Sequence, residues 1–470
     1  MCGCVGASIS RITGCRNILS ARQGGVDESA TRRTIGDPGM KTASDSYSVV
    51  EISRRVQTGG DDPLDAVRHA LTVIARREPE LYAWSHLASA GDLTGESART
   101  ASGPLAGVPF GVKDIIDVAG MPTRCGSEAC NTSPSQFDAS CVALLRRAGA
   151  VPVGKTVTAE FAYMTPGPTR NPANRQHTPG GSSSGSAAAV AAGMVPMALG
   201  TQTGGSMIRP AAFCGVVGFK PSFGALGRDG MKIMCESLDV IGWYCADVAD
   251  VARVAEVMLP DAPPPLYSTE HMRTAKIGFL PSNPGHVLEH AAQAALEDAR
   301  IALRDLSTIE PVPELTDPAR FLEAHSVIMR YELARSLLPV ASEHAAQLSR
   351  PLREAIDQGL AMPAQTYREM KAWQHTQRLR WADYFGDADV VLTSSALGPA
   401  PRGLESTGTA AFNKAWSLLG WPCIHLPTAL SEDGLPLGVQ LVGKPGTDRE
   451  LIGWALALHK FVDRRSRAEP

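Results

Sequence analysis

Residues 178–222 read TPGGSSSGSAAAVAAGMVPMALGTQTGGSMIRPAAFCGVVGFKPS, and this run decides how the rest of the chain is read. Two glycine–serine clusters flank a segment, 187–199, made only of small or apolar residues, which suits a tight helix packed against a sheet. The second cluster, 200–206, ends in Ser206 with Gly204 and Gly205 directly before it. Glycines there let backbone N–H groups converge on one point, the geometry an oxyanion hole needs. A glycine-rich turn beside a core helix fits the spacing as well. No Asp, Glu, Lys or Arg occurs between Gln176 and Ile208. Even so, 187–199 is too short for a membrane span, which needs roughly 20 apolar residues.

Outward from this run, short apolar stretches alternate with Gly and Pro. Residues 108–110 (VPF), 151–153 (VPV) and 216–219 (VVGF) read as buried strands between helices, the pattern of an α/β domain. A helix is expected at 62–77, where Leu64, Val67, Leu71 and Ile74 share one face. Beyond the prolines of 260–265 the spacing predicts a strand at 276–280, a helix at 287–306 and mostly helix over 320–386. Strands follow at 389–393, 423–427 and 438–442. The expected organisation is one large domain, 47–465, with a helical excursion near 285–385. Residues 1–46 are basic, acid-poor and without sustained period. They read as a disordered extension, or as a start placed too early with Met40 the real beginning; a transit peptide is the alternative.

Composition excludes several classes. Of 470 residues, 44% are apolar and 20% charged, ordinary globular usage that rules out a disordered or fibrous chain. A net charge of −3 leaves no basic footprint for nucleic acid and no polybasic membrane patch. The 10 cysteines form neither a C-x-x-C pair nor a zinc-finger spacing with histidine, and read as reduced thiols of a cytoplasmic protein.

Two motif matches fail on their physics. GAVPVGKT (149–156) satisfies the phosphate-loop pattern, yet its interior is apolar and Pro152 has no N–H to offer a phosphate. GSSSG (181–185) satisfies the nucleophile-elbow pattern, but a polar loop precedes it where an apolar strand is needed.

The long run resembles the signature of the amidase signature family, serine hydrolases with a Ser–cis-Ser–Lys triad. The likeness continues in GVPFGVKD (107–114), GKTVTAEF (154–161) and GLPLGVQLVG (434–443), in order over roughly 47–460. The second of these accounts for the false phosphate loop. The fold this implies is α/β, with a large mixed β-sheet of about ten or eleven strands flanked by helices.

Carried over by position, Lys113 matches the family lysine, Ser182 the bridging serine with a cis peptide, and Ser206 the nucleophile. Backbone N–H groups of Thr203, Gly204, Gly205 and Ser206 are the implied oxyanion donors. Ser183, Ser184 and Ser186 are expected to hold the loop together. The chemistry calls for these types, because a serine hydroxyl needs a base in reach. A lysine can be that base when burial disfavours its charged form. A neutral Lys113 would take the Ser206 proton through Ser182 and return it to the departing amine. Lys113 as a surface residue paired with Asp114 is the plainer reading.

Two positions depart from the family pattern. Gln202 stands where Asp is usual, and Arg209 lies three residues beyond Ser206 rather than two. The GTQTGGS-x-I-R-P form resembles malonamidase, which implies that Arg209 binds a substrate carboxylate; a structural arginine satisfying carbonyls fits Arg209 equally. Gln202 is a candidate substrate-binding residue, or an amide that holds the loop by hydrogen bonds. Tyr331, Trp373, Trp416 and Trp421 are either acyl-pocket or core aromatics.

The resemblance implies an amidase acting on a small carboxamide, with no metal or organic cofactor and neither nucleic acid nor membrane as partner. Homodimers occur among relatives. The alternatives are the A-type subunit of glutamyl-tRNA amidotransferase and a carbamate or ester hydrolase on the same scaffold.

Overall fold

The computed structural model describes residues 47–463, apart from 90–92, 94–99, 131, 260–262, 282–285, 314 and 316. The expectation for residues 1–46 lies outside the described residues. Strands β2 (Pro109–Lys113), β3 (Val151–Thr156) and β4 (Met197–Gln202) are buried at every position; β1 (Trp84–Leu87) flanks them. Strands covered on both faces need apolar side chains throughout, which is why their sequences read as unbroken apolar runs. β2 lies between β3 and β4, parallel to both. Parallel neighbours require crossovers. The helix Ser140–Arg147 carries the chain from β2 to β3, and the helix Ser184–Ala191 carries it from β3 to β4.

The remaining strands are β5 (Val217–Lys220), β6 (Val240–Cys245), β7 (Lys276–Leu280), β8 (Thr308–Pro311), β9 (Val390–Ser394), β10 (Cys423–Leu430) and β11 (Pro436–Val442). All join one mixed 11-stranded sheet of order β1-β3-β2-β4-β6-β5-β10-β11-β9-β7-β8. Helices flank it, as the α/β expectation has it. Phe219 and Trp243 meet across the β5–β6 pair with ring centroids 4.9 Å apart, both fully buried. The edge strand β8 is short and mostly exposed, so no apolar pattern announced it.

One expectation needs correction. Residues 187–199 are not a single helix: the helix is Ser184–Ala191, and 197–199 belong to β4. The chain breaks at Gly193, whose φ of 65° is left-handed. The Gly193 and Met194 amides close back on Val190 O and Ala189 O, and Pro196, lacking an N–H, comes next but one. The expected helix 62–77 is realised as Asp65–Leu81.

The helix Ser184–Ala191 packs so closely that its second residue has no room for a side chain. A Cβ on Gly185 would stand 2.2 Å from Ala83 O and 2.4 Å from Val157 N, both backbone atoms that cannot yield locally. Gly185→Ala is therefore expected to destabilise the protein by about 2–3 kcal/mol, the usual scale of overpacking. Urea unfolding would read it, and a midpoint unchanged from wild type would refute the close approach.

Candidate active site

β2 and β4 end side by side, and the segments leaving their ends converge. Lys113 is the last residue of β2 and is fully buried. Its Nζ lies 2.7 Å from Ser182 Oγ and 2.6 Å from Thr201 Oγ1. Asp114, the partner in the surface-lysine reading, instead holds the buried Lys155 at 3.0 Å. Lys155 also donates to Pro122 O and Thr123 Oγ1, so the lysine of the false phosphate loop is a strut inside β3. Burial pulls the Lys113 pKa down to about 7, and the negative charge of Asp239 partly opposes it.

The peptide bond Gly181–Ser182 is cis. Downstream, Ser183 Oγ donates to Thr201 O and accepts from Thr201 N, both at 3.1 Å. Ser186 Oγ donates to Leu199 O at 2.8 Å, and Ser184 Oγ reaches Val157 O at 3.4 Å. These three serines stitch the glycine–serine loop to β4 and to the end of β3. No strand leads directly into them, so the elbow motif is a coincidence of composition.

Ser206 follows β4 through Thr203-Gly204-Gly205 and precedes the helix Ile208–Cys214. At 9% exposure it is the most accessible of the three residues; Ser182 is at 1% and Lys113 at 0%. Its carbonyl accepts from Tyr244 Oη at 3.0 Å. The Gly180–Ser182 stretch packs on that helix, where a Cβ on Gly180 would lie 3.0 Å from Pro210 Cα. Among the described residues, no acceptor stands against the amides of Thr203, Gly204, Gly205 and Ser206, while the Thr203, Gly204 and Gly205 carbonyls are engaged by His325, Ser417 and the Arg209 amide.

The two residues expected to bind substrate, Gln202 and Arg209, are both buried and hydrogen-bonded within the fold. Gln202 is 1% exposed, and its Oε1 accepts from Met207 N at 2.8 Å and Ile208 N at 3.1 Å. Its Nε2 donates to Ser417 Oγ at 3.0 Å. It caps the helix after the nucleophile turn and is committed at both ends of its amide. Arg209 Nη1 donates to Gly408 O at 2.8 Å, while Nη2 donates to Gly181 O and, at 3.0 Å, to Thr407 Oγ1. Both terminal nitrogens are engaged, Nη2 twice, while the buried Nε has no partner among the described residues. Burial also lowers its pKa to about 10. These bonds fit the structural reading of Arg209, whose Nη2 grips the Gly181 carbonyl of the cis peptide.

Several neighbours gave no signal in the sequence. Thr201 shares the lysine. Asp239 accepts from Thr203 Oγ1, Met234 N and Cys235 N, and burial raises its pKa. His325 Nε2 lies 3.0 Å from Thr203 O; a carbonyl only accepts, so Nε2 carries the proton. Burial lowers the His325 pKa to about 3. Trp416 and Trp421 are core residues, and Tyr331 stacks on Tyr367 at 4.1 Å.

A family model described as Amidase matches residues 80–452. The chain belongs to the amidase signature family. It is 32% identical to the glutamyl-tRNA(Gln) amidotransferase A subunit of Symbiobacterium thermophilum, over 90% of this chain and 98% of that one. It is also 32% identical to the putative amidase AmiA2 of Mycobacterium bovis, over 84% of this chain and 89% of the relative. Peptide amidase from Stenotrophomonas maltophilia superposes with a TM-score of 0.75 at 27% identity, covering 90% and 98% of the two chains. This is an amidase-family enzyme, acting on carbon–nitrogen bonds. Among the described residues, no helix is long and apolar enough to cross a membrane.

If the amine of Lys113 is the base, only its neutral form works. Its pKa of about 7 puts that form above neutrality, so kcat/KM should rise about tenfold per pH unit up to about pH 7 and then level. Asp239→Asn removes the charge that favours the ammonium and should move the limb to lower pH. A limb near the ordinary lysine value, or none, would sink the assignment.

Proposed function

We propose that this enzyme is a stand-alone amidase that hydrolyses a small linear carboxamide to the carboxylate and ammonia or an amine. Ser206 attacks the carbonyl carbon while its proton passes through Ser182 to the neutral amine of Lys113. The tetrahedral oxyanion is held by the N–H groups of Thr203, Gly204, Gly205 and Ser206. The proton returns along the same path to the leaving nitrogen, and the C–N bond breaks to give the Ser206 acyl-enzyme. Water, losing its proton to the relay, then releases the acid. The observation that carries this reading is a fully buried lysine whose Nζ contacts two hydroxyls, Ser182 and Thr201. Esters and carbamates can enter by the same acyl-enzyme. The malonamidase-like form of the loop around Ser206 supports a simple amide as substrate.

A second reading is favoured by the names of relatives: several at 30–33% identity are the A subunits of amidotransferases. Gln202 in place of the usual Asp, and the shifted Arg209, weigh against it. The purified chain decides between them, since a stand-alone amidase turns over amides without partner subunits or tRNA.

A fluorophosphonate probe should add to Ser206, read by peptide mass spectrometry, and Ser206→Ala should lose both the adduct and at least ~10³-fold of kcat. An adduct on Ser183, or none, would overturn the triad.

A further inference from the structure

Two helices from far along the chain, Pro318–Ser336 and Ala411–Leu419, reach the nucleophile turn after β4. From the first, His325 is 1% exposed and its Nε2–H donates to Thr203 O at 3.0 Å. A Cβ on Gly204 would stand 3.4 Å from that ring, so the imidazole packs directly on the turn. Its buried Nδ1 has no partner among the described residues, which leaves the Thr203 carbonyl to fix the tautomer. From the second helix, Ser417 Oγ accepts from Gln202 Nε2 at 3.0 Å and so keeps its own hydrogen for Gly204 O, at 2.8 Å.

Among the described residues only Gly181–Ser182 is cis, so the peptides of this turn are trans. A trans peptide is a rigid plane whose C=O and N–H point in opposite directions. Anchoring Thr203 O therefore sets the direction of the Gly204 N–H, and anchoring Gly204 O sets that of the Gly205 N–H. Glycines on either side leave these planes free to swing unless something outside the turn holds them. The next plane is held from within, because Gly205 O accepts from Arg209 N at 3.0 Å.

We propose that His325 and Ser417 are positioning residues for the reaction, His325 holding the Gly204 N–H and Ser417 the Gly205 N–H toward the oxyanion. The proposal rests on the amidase reading above, in which those amides receive the oxyanion. The helix Pro318–Ser336, part of the helical excursion, then serves the chemistry as well as the fold.

The test is the rate at which a fluorophosphonate labels Ser206 in the full chain. Ser206 Oγ bonds to phosphorus as fluoride leaves, and the phosphoryl oxygen stands where the oxyanion would. Saturation kinetics separates the binding constant from the first-order labelling rate. His325→Leu should lower that rate by roughly 10- to 100-fold and leave the binding constant within about 3-fold of wild type. His325→Gln, whose amide N–H can still reach Thr203 O, should keep the rate within about 5-fold of wild type. Ser417→Ala should lower the rate by about 10-fold, again without weakening binding. If urea unfolding shows that His325→Leu does not fold, His325→Gln and Ser417→Ala decide. A wild-type rate in His325→Leu, or equal losses in His325→Leu and His325→Gln, overturns the role of His325. A wild-type rate in Ser417→Ala overturns that of Ser417, and a loss confined to binding overturns both. A wild type that takes no label on Ser206 removes the amidase reading itself, whereas a labelled wild type with indifferent variants removes only the positioning role.

Discussion

A fully buried amine held by hydroxyls alone is the constraint on which this site depends. Lys113 is sealed at the end of β2, where its Nζ meets Ser182 and Thr201 and, among the described residues, no carboxylate at hydrogen-bond distance. Holding a charged ammonium there is unfavourable, and that cost brings the loss of its proton down to near neutrality. Much of the surrounding architecture serves this burial. β2 is flanked by two parallel strands, the serines after Ser182 tie their loop to the sheet, and Arg209 holds the Gly181 carbonyl in place. Loosening any of these admits water and returns the lysine toward its ordinary behaviour.

The turn after β4 is shaped by a different set of bonds. Gln202 holds Met207 N and Ile208 N from one side, and Ser417 and His325 take the outward carbonyls of Gly204 and Thr203. With these carbonyls anchored, the peptide planes of the turn are fixed in orientation. If these amides are the oxyanion donors proposed above, they are fixed before any substrate arrives, the condition under which such groups lower a barrier most.

Much of this was legible in the sequence, for identifiable reasons. β2, β3 and β4 were readable because burial on both faces leaves few polar residues to break the pattern. Lys113 and Ser182, singled out by position in motifs that resemble the family's, do meet in the structure. The edge strand β8 was not, being short and exposed, and 187–199 misled because alanine and valine suit a helix and a buried strand alike; only Gly193 and Pro196 marked the break. For Arg209 and Gln202 the sequence left binding and structural tasks open, since the partners Gly408, Thr407 and Ser417 lie some two hundred residues downstream. Asp239 and His325 left no local trace, because each reaches the site through tertiary packing alone.

The stretch from Gln176 to Ile208 contains no Asp, Glu, Lys or Arg, yet it walls in the amine. Its serines and threonines fix geometry without setting a field. The charge that bears on Lys113 comes from Asp239, on a separate segment just before β6. Machinery and tuning are therefore carried by different pieces of chain. A lineage can shift the acidity at which the proposed relay works by exchanging residues around Asp239, while the glycine–serine run is left untouched.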